Sequence, residues 1–277
     1  MSTDRTRVRP EGGTVRSTLS IAATDRAFDG HFPDNPAFPG VGQLWLGQIA
    51  AATQYGAAYP VGLRRVRFRA PVGPDTSLAI DLTPTGAEHE LATEIWRLGG
   101  EESLVTDGTL LVSPSPRTGG PARVAPPTCD APAQPDIESI LPHRGPARFL
   151  SAALSIATED SQPSWLLGRV PADNFLVADG RVTVFAALEF AAQAGPAVPE
   201  LRKGPDGDVR RLAGLFAGIR SADFAAPSFA VDDELVAAVT ASQRGPFMTV
   251  LAEVYTRHGG ELHELATAAI KLLVNDA

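Results

Sequence analysis

The sequence predicts an α+β protein built from two related units, each an antiparallel sheet with a single buried helix. Three observations carry this prediction. A repeat comes first, because repetition fixes architecture before any local reading does: Gly62-Leu63-Arg64-Arg65-Val66-Arg67-Phe68-Arg69-Ala70-Pro71 lines up with Gly218-Ile219-Arg220-Ser221-Ala222-Asp223-Phe224-Ala225-Ala226-Pro227. Each copy is then followed by a polar turn and by runs in which apolar and polar residues alternate, as they do in half-buried antiparallel strands. Finally, each half holds one alanine-rich stretch of helical composition, 41–58 and 184–197.

Taken in order, residues 1–13 are polar and read as a flexible N-terminus. The first unit is placed at 14–113. Its helix starts at Pro39-Gly40, a proline-then-glycine start signal, and strands are expected at 62–69, 78–82, 90–98 and 103–112. Residues 114–135 are rich in Pro, Gly and Ala without periodicity and read as a linker. The second unit is placed at 136–277, with its helix at 184–197 and strands at 218–225, 234–240, 247–256 and 262–274.

Composition excludes several function classes. The chain has 277 residues, 44% of them apolar, which is enough for a real core. A formal charge of −8 argues against a nucleic-acid surface. No apolar run reaches the length of a membrane span, and residues 1–16 lack the apolar core of a secretory signal. The single cysteine, Cys129, excludes an internal disulfide framework and a cysteine-based metal site. A cytoplasmic protein with no membrane or nucleic-acid partner is expected.

The most informative stretch is Gly30-His31-Phe32-Pro33-Asp34-Asn35-Pro36-Ala37-Phe38-Pro39-Gly40. It places one imidazole on a proline-pinned loop just before a helix. It resembles the G-H-F-P-x-x-P-x-x-P-G motif of the hot-dog-fold β-hydroxyacyl-thioester dehydratases, with every fixed position present. The second half opens with Leu141-Pro142-His143-Arg144-Gly145-Pro146, similar to the L-P-H-R-x-P segment that begins many of these dehydratases. Its Leu188-Glu189-Phe190-Ala191-Ala192-Gln193 resembles their L-E-x-x-A-Q helix motif. The resemblance implies a tandem double hot dog: two curved antiparallel sheets, each wrapping a central helix, packed as an intrachain pseudo-dimer.

In homodimeric members of that family, the base is a His from one subunit. The acid is a carboxylate on the partner's helix, fourteen positions after that subunit's own motif His. Applied here, the acid position of the first half falls on Trp45, and the base position of the second half falls on Phe175. The resemblance therefore implies one composite site, His31 with Glu189, and one dead apolar site at Trp45 and Phe175. Polyketide synthase dehydratase domains divide the labour in the same way, although Asn35 stands where they usually carry glycine. The implied reaction is loss of water from a (3R)-3-hydroxyacyl thioester, on acyl carrier protein or coenzyme A, to give the trans-2-enoyl thioester. His31 is the expected base. Glu189, raised in pKa by an apolar pocket, is the expected acid. The Gly40 and Val41 amides would hold the thioester oxygen, and Phe32 and Pro39 would flank the substrate. Gln193, one turn after Glu189, would orient the carboxyl or bind the released water.

Other readings of these residues stay in view. The same fold serves isomerases, hydratases, thioesterases and non-catalytic scaffold partners. His143 reads as a hydrogen-bonding structural residue, and His89, His258 and His263 read as surface. No cluster shows metal-ligand spacing, and no cofactor is expected. Arg65, Arg67 and Arg69 share one strand face, either simply solvated or docking an acidic carrier protein; Arg202, Lys203, Arg210 and Arg211 form a rival patch. A free-standing pseudo-dimer and a homodimer of it are both compatible with the sequence.

Overall fold

The computed structural model describes residues 13–32, 35–56, 58–122, 124 and 136–276. All but the last residue of the N-terminus expected at 1–13, most of the linker after residue 122, and Cys129 lie outside the described residues.

The first half runs β1 (Val15–Ile21), α1 (Gly40–Tyr55), β2 (Tyr59–Phe68), β3 (Thr76–Pro84), β4 (Glu90–Arg97) and β5 (Ser103–Ser113). The second opens with a one-turn helix α2 (Ile137–Ile140) and strands β6 (Leu150–Ser155), β7 (Ser164–Gly168), β8 (Val177–Ala178) and β9 (Arg181–Thr183). It continues with α3 (Phe185–Leu201), β10 (Leu212–Phe224), β11 (Ser228–Ala230), β12 (Glu234–Arg244), β13 (Phe247–His258) and β14 (Glu261–Asp276). Eleven strands form one sheet in the order β1-β3-β4-β5-β2-β10-β14-β13-β12-β7-β6, while β11, β9 and β8 form a small second sheet.

That order is near-palindromic: outward from the centre, β2, β5, β4, β3 and β1 are answered by β10, β14, β13, β12 and β7. The halves meet where β2 pairs antiparallel with β10, the two strands of the sequence repeat. The register is symmetric as well. Arg67 lies opposite Gly218 at one end and Gly62 opposite Asp223 at the other, the same repeat positions with the halves exchanged. The alternation that marked these strands in the sequence is thus the seam of the pseudo-dimer.

Both helices lie against the sheet. Phe185 to Val198 of α3 are buried without interruption, which small side chains permit by letting the helix sit close. A Cβ on Gly195 would come within 2.4 Å of Val250 on β13. The helix runs on through Pro196 and Pro199 to Leu201, past the expected end at 197. Proline removes helix hydrogen bonds, but the last turn is held by the burial of Val198, Glu200 and Leu201. Conversely, α1 stops at Tyr55, short of 58, because Gly56 takes φ +86° and breaks the helix there. Part of the expected linker is tied down: Ala122 N donates to Leu262 O (2.8 Å) and Glu264 N to Gly120 O (3.0 Å). Among the described residues no helix is long and apolar enough to cross a membrane.

Candidate active site

His31 leaves a loop that is pressed onto the second half of the chain. Gly30 takes φ +76°, and its carbonyl accepts a hydrogen bond from Arg144 N at 3.0 Å. A Cβ on Gly30 would lie 1.7 Å from the Arg144 carbonyl oxygen, so only glycine fits. The imidazole is 8% exposed, and its Nδ1 lies 2.6 Å from the Ala37 carbonyl. A carbonyl only accepts, so Nδ1 carries the proton and Nε2 keeps its lone pair. Burial, with a lesser contribution from nearby His143, pulls the His31 pKa down to about 4, although Glu189 and the Ala37 bond oppose the shift. The ring is therefore neutral near pH 7.

Glu189 projects from the interior of α3 and is 6% exposed. Its Oε1 accepts from Gln193 Nε2 at 3.0 Å and lies 3.4 Å from His143 Nε2. Gln193 is fully engaged: Nε2 also donates to Ala147 O (2.8 Å), and Oε1 accepts from Phe149 N (2.9 Å) and Leu150 N (3.4 Å). The side chain is locked one turn below the carboxylate.

The raised pKa expected for Glu189 is overturned. Burial is the largest single influence and does push the carboxyl upward. It is outweighed by the hydrogen bond and charge of His143, the charge of His31 and the Gln193 amide, which together hold the carboxyl below its ordinary range. The sequence reading left His143 out of the site; folding puts it inside. His143 is 3% exposed, its ring centroid is 5.5 Å from that of His31, and its Nδ1 is buried with no partner among the described residues. Phe32, held at φ +59°, sets its ring 4.3 Å from that of His31 and 5.1 Å from that of His143. The L-P-H-R segment drew attention to His143, but nothing in the sequence fixes the fold of that segment against α3.

His31 and Glu189 line one cavity of about 330 Å³ together with Phe32, Gly40, Phe68 and Phe216. Gly40 opens α1, where the first helical amides have no partner within the helix. It sits under the Phe68–Phe216 pair, whose ring centroids are 5.4 Å apart; a Cβ there would press on both rings at 3.1–3.2 Å. Pro39 and Val41 are not among the residues that line this cavity; they line a much smaller void that also touches His31, Glu189 and Phe175. At the counterpart position Trp45 and Phe175 face each other with ring centroids 6.2 Å apart, and Phe38 packs on Phe175 at the same distance. That space is filled by aromatic rings.

His31, His143 and Glu189 offer ligand atoms that all lie within 4.8 Å of one another. Three separate segments supply them, so sequence spacing showed no such cluster. The set is suited to a divalent ion or, equally, to moving protons. Of the expected docking residues, Arg69 lines the cavity and pairs with Asp107 at 2.5 Å, Arg67 lies 3.8 Å from the same carboxylate, and Arg65 is exposed with no partner among the described residues. The rival patch is bound up internally: Arg202 pairs with Asp160, Lys203 and Arg210 with Glu200, and Arg211 reaches the Glu138 carbonyl.

A helix in each half, a shared sheet and a histidine–carboxylate site at the seam define a double hot-dog protein of the dehydratase type. Residues 135–275 match the ApeP-like family of ApeP dehydratases, and residues 7–108 match the ApeI-like family of ApeI dehydratases. The chain belongs to the ApeP-like dehydratase family. It is 31% identical over 101 residues to the 3-hydroxyacyl-(acyl-carrier-protein) dehydratase FabZ of Magnetococcus marinus, covering 33% of this chain and 63% of the relative. It is 33% identical over 87 residues to FabZ of Aeromonas hydrophila, covering 27% and 56%. The chain thus spans less than two thirds of the length of these relatives. Among solved structures, it resembles the dehydratase domain of the CurJ module of curacin polyketide synthase (TM-score 0.70, 13% identity, 99% of this chain and 97% of that one). It also resembles the dehydratase domain of PpsC from Mycobacterium tuberculosis in complex with C12:1-CoA (TM-score 0.67, 15% identity, 97% of each chain).

Proposed function

We propose that this protein dehydrates a 3-hydroxyacyl thioester at one composite site, with His31 as base and Glu189, paired with His143, as acid. The observation that carries this reading is the meeting of His31 and Glu189, from different halves, on one cavity. Neutral His31 uses its Nε2 lone pair to take the proton from the carbon next to the thioester carbonyl. The electron pair moves toward the thioester oxygen, where the Gly40 amide stands ready to donate. As the C3–O bond breaks, the hydroxyl receives a proton and leaves as water, giving the 2-enoyl thioester.

That second proton comes from the Glu189–His143 pair. Glu189 gives it up from its protonated form and is left as a carboxylate that Gln193 bonds and that lies 3.4 Å from His143 Nε2. The proton gathered by His31 has to return to Glu189 before the next turnover, and the ligand atoms of His31, His143 and Glu189 all lie within 4.8 Å of one another. Gln193 holds the carboxylate in place. Each positioned proton-transfer group contributes about 10²–10⁴-fold in rate.

A carrier protein is the favoured donor of the substrate. Arg69 at the cavity, with exposed Arg67 and unpartnered Arg65 on β2, sets positive charge beside the site for an acidic carrier, Arg67 and Arg69 sharing the single carboxylate of Asp107. The test is incubation with 3-hydroxyacyl carrier-protein and coenzyme A thioesters of several chain lengths, reading loss of water by mass. His31→Ala and Glu189→Gln are each expected to lower turnover by at least about a hundredfold. Full turnover in either variant, or none in the wild type with any thioester, would remove this reading.

A further inference from the structure

We infer that Gln43 reads a hydrogen-bond acceptor on the acyl chain, so that the preferred substrate carries an oxygen atom inside the cavity rather than a plain alkyl chain. The inference rests on the dehydratase reading of the site and specifies its substrate.

Gln43 lies on α1 one turn beyond Gly40 and lines the same cavity, yet it is only 3% exposed. Its carbonyl oxygen is held by the Thr106 hydroxyl, which donates to Oε1 at 2.6 Å. Thr106 is itself 2% exposed on β5, so the amide plane is fixed from behind. The amide nitrogen has no hydrogen-bond partner among the described residues. Unlike the indole nitrogen of Trp96 and Nδ1 of His143, it is not sealed away from space. The neighbouring cavity walls are apolar, among them Phe38, Phe68, Phe216, Phe247 and Leu273. A donor pinned in this way is satisfied by water when the cavity is empty. An alkyl chain would expel that water and return nothing, and leaving a buried donor unmade is costly; a chain with an acceptor replaces the lost bond. Sites built to bond a polar substrate group reject the analogue that lacks it.

Three residues of helix advance roughly 5 Å from Gly40, which places the acceptor at about the fifth to the seventh carbon when Gly40 holds the thioester oxygen. The experiment compares a plain 3-hydroxyacyl carrier-protein substrate with a series in which one methylene in that window is replaced by an ether oxygen, an acceptor only. Wild type should prefer at least one ether chain by about tenfold or more in kcat/KM, the scale of one buried bond. Gln43→Met, similar in volume, should abolish or reverse that preference, read as the ratio of kcat/KM for ether and plain chains within the variant. Thr106→Val, which frees the amide to turn, should reduce the preference and decides the matter if Gln43→Met does not fold. Equal use of all chains by wild type, or a preference surviving in both variants, overturns the inference while leaving dehydration intact. Turnover of no chain by wild type sinks the dehydratase reading instead.

Discussion

The backbone amide of Arg144 donates to the carbonyl of Gly30 at 3.0 Å, and this bond joins the segment bearing His143 to the loop bearing His31. Two catalytic candidates from opposite halves are thereby set by main-chain contact rather than by side-chain reach. Gly30→Ala puts a methyl group 1.7 Å from the Arg144 carbonyl oxygen and forces a left-handed alanine. The loop has to move away. Turnover is expected to fall at least about tenfold, since positioning errors of an ångström are costly, with a lower Tm. Wild-type turnover and melting together would show that the clamp is dispensable.

His143 supplies the largest of the influences that offset burial at Glu189. In His143→Ala, the hydrogen bond and charge that hold the carboxyl low are gone while burial remains, so the Glu189 pKa rises. This is read directly by carboxyl carbon NMR of the labelled glutamate. His143→Gln, which restores a donor without a titrating ring, should recover part of the shift and less of the rate. An unchanged Glu189 titration in His143→Ala would place His143 outside the proton machinery.

The buried imidazole of His31 also leaves a mark on stability. Its pKa falls from an ordinary 6.5 to about 4 on folding. Between those values the unfolded chain binds a proton that the folded protein refuses, so stability declines as pH drops from about 6.5 toward about 4 and this contribution levels off below. Glu189, depressed in the folded protein, adds an acid-side loss as pH falls through its own lowered pKa. Denaturant melts at pH 7 and pH 5 should therefore differ more in wild type than in His31→Asn. Equal pH sensitivity in the two proteins would show that the buried ring is not the source.

The arginine strip gives a kinetic prediction. Arg65→Glu with Arg67→Glu reverses charge beside the cavity without touching its walls. KM for a carrier-protein substrate should rise about tenfold or more and become less sensitive to salt. A short thioester lacking the carrier should be processed at the wild-type rate. Equal effects on both substrates would mean that the strip serves the fold.

Much of this was legible before folding. The repeat around Gly62 and Gly218 located the seam strands, because symmetric partners must share a pattern, and alternation gave the long strands of both halves. The motif stretch and the L-E-x-x-A-Q helix marked His31 and Glu189. What escaped was the consequence of chain paths meeting. His143 sits on a short irregular segment whose direction depends on Gly30 and α3, and no local pattern records that. The sign of the Glu189 shift was missed for the same reason, since it is decided by a neighbour rather than by its own pocket. Arg65 breaks the simple strand picture too: it takes φ +52° at an irregularity between Arg64 and Arg67, although all three arginines remain outward.

The β2–β10 seam makes a pairing that two separate polypeptides would have to find by collision into a property of one molecule. Diluting the protein cannot dissociate its halves, so the pairing of β2 with β10 does not depend on enzyme concentration. Covalent union also releases each half from serving as a mirror of the other. Trp45 can fill one position without appearing at its counterpart, a divergence that two identical subunits are forbidden.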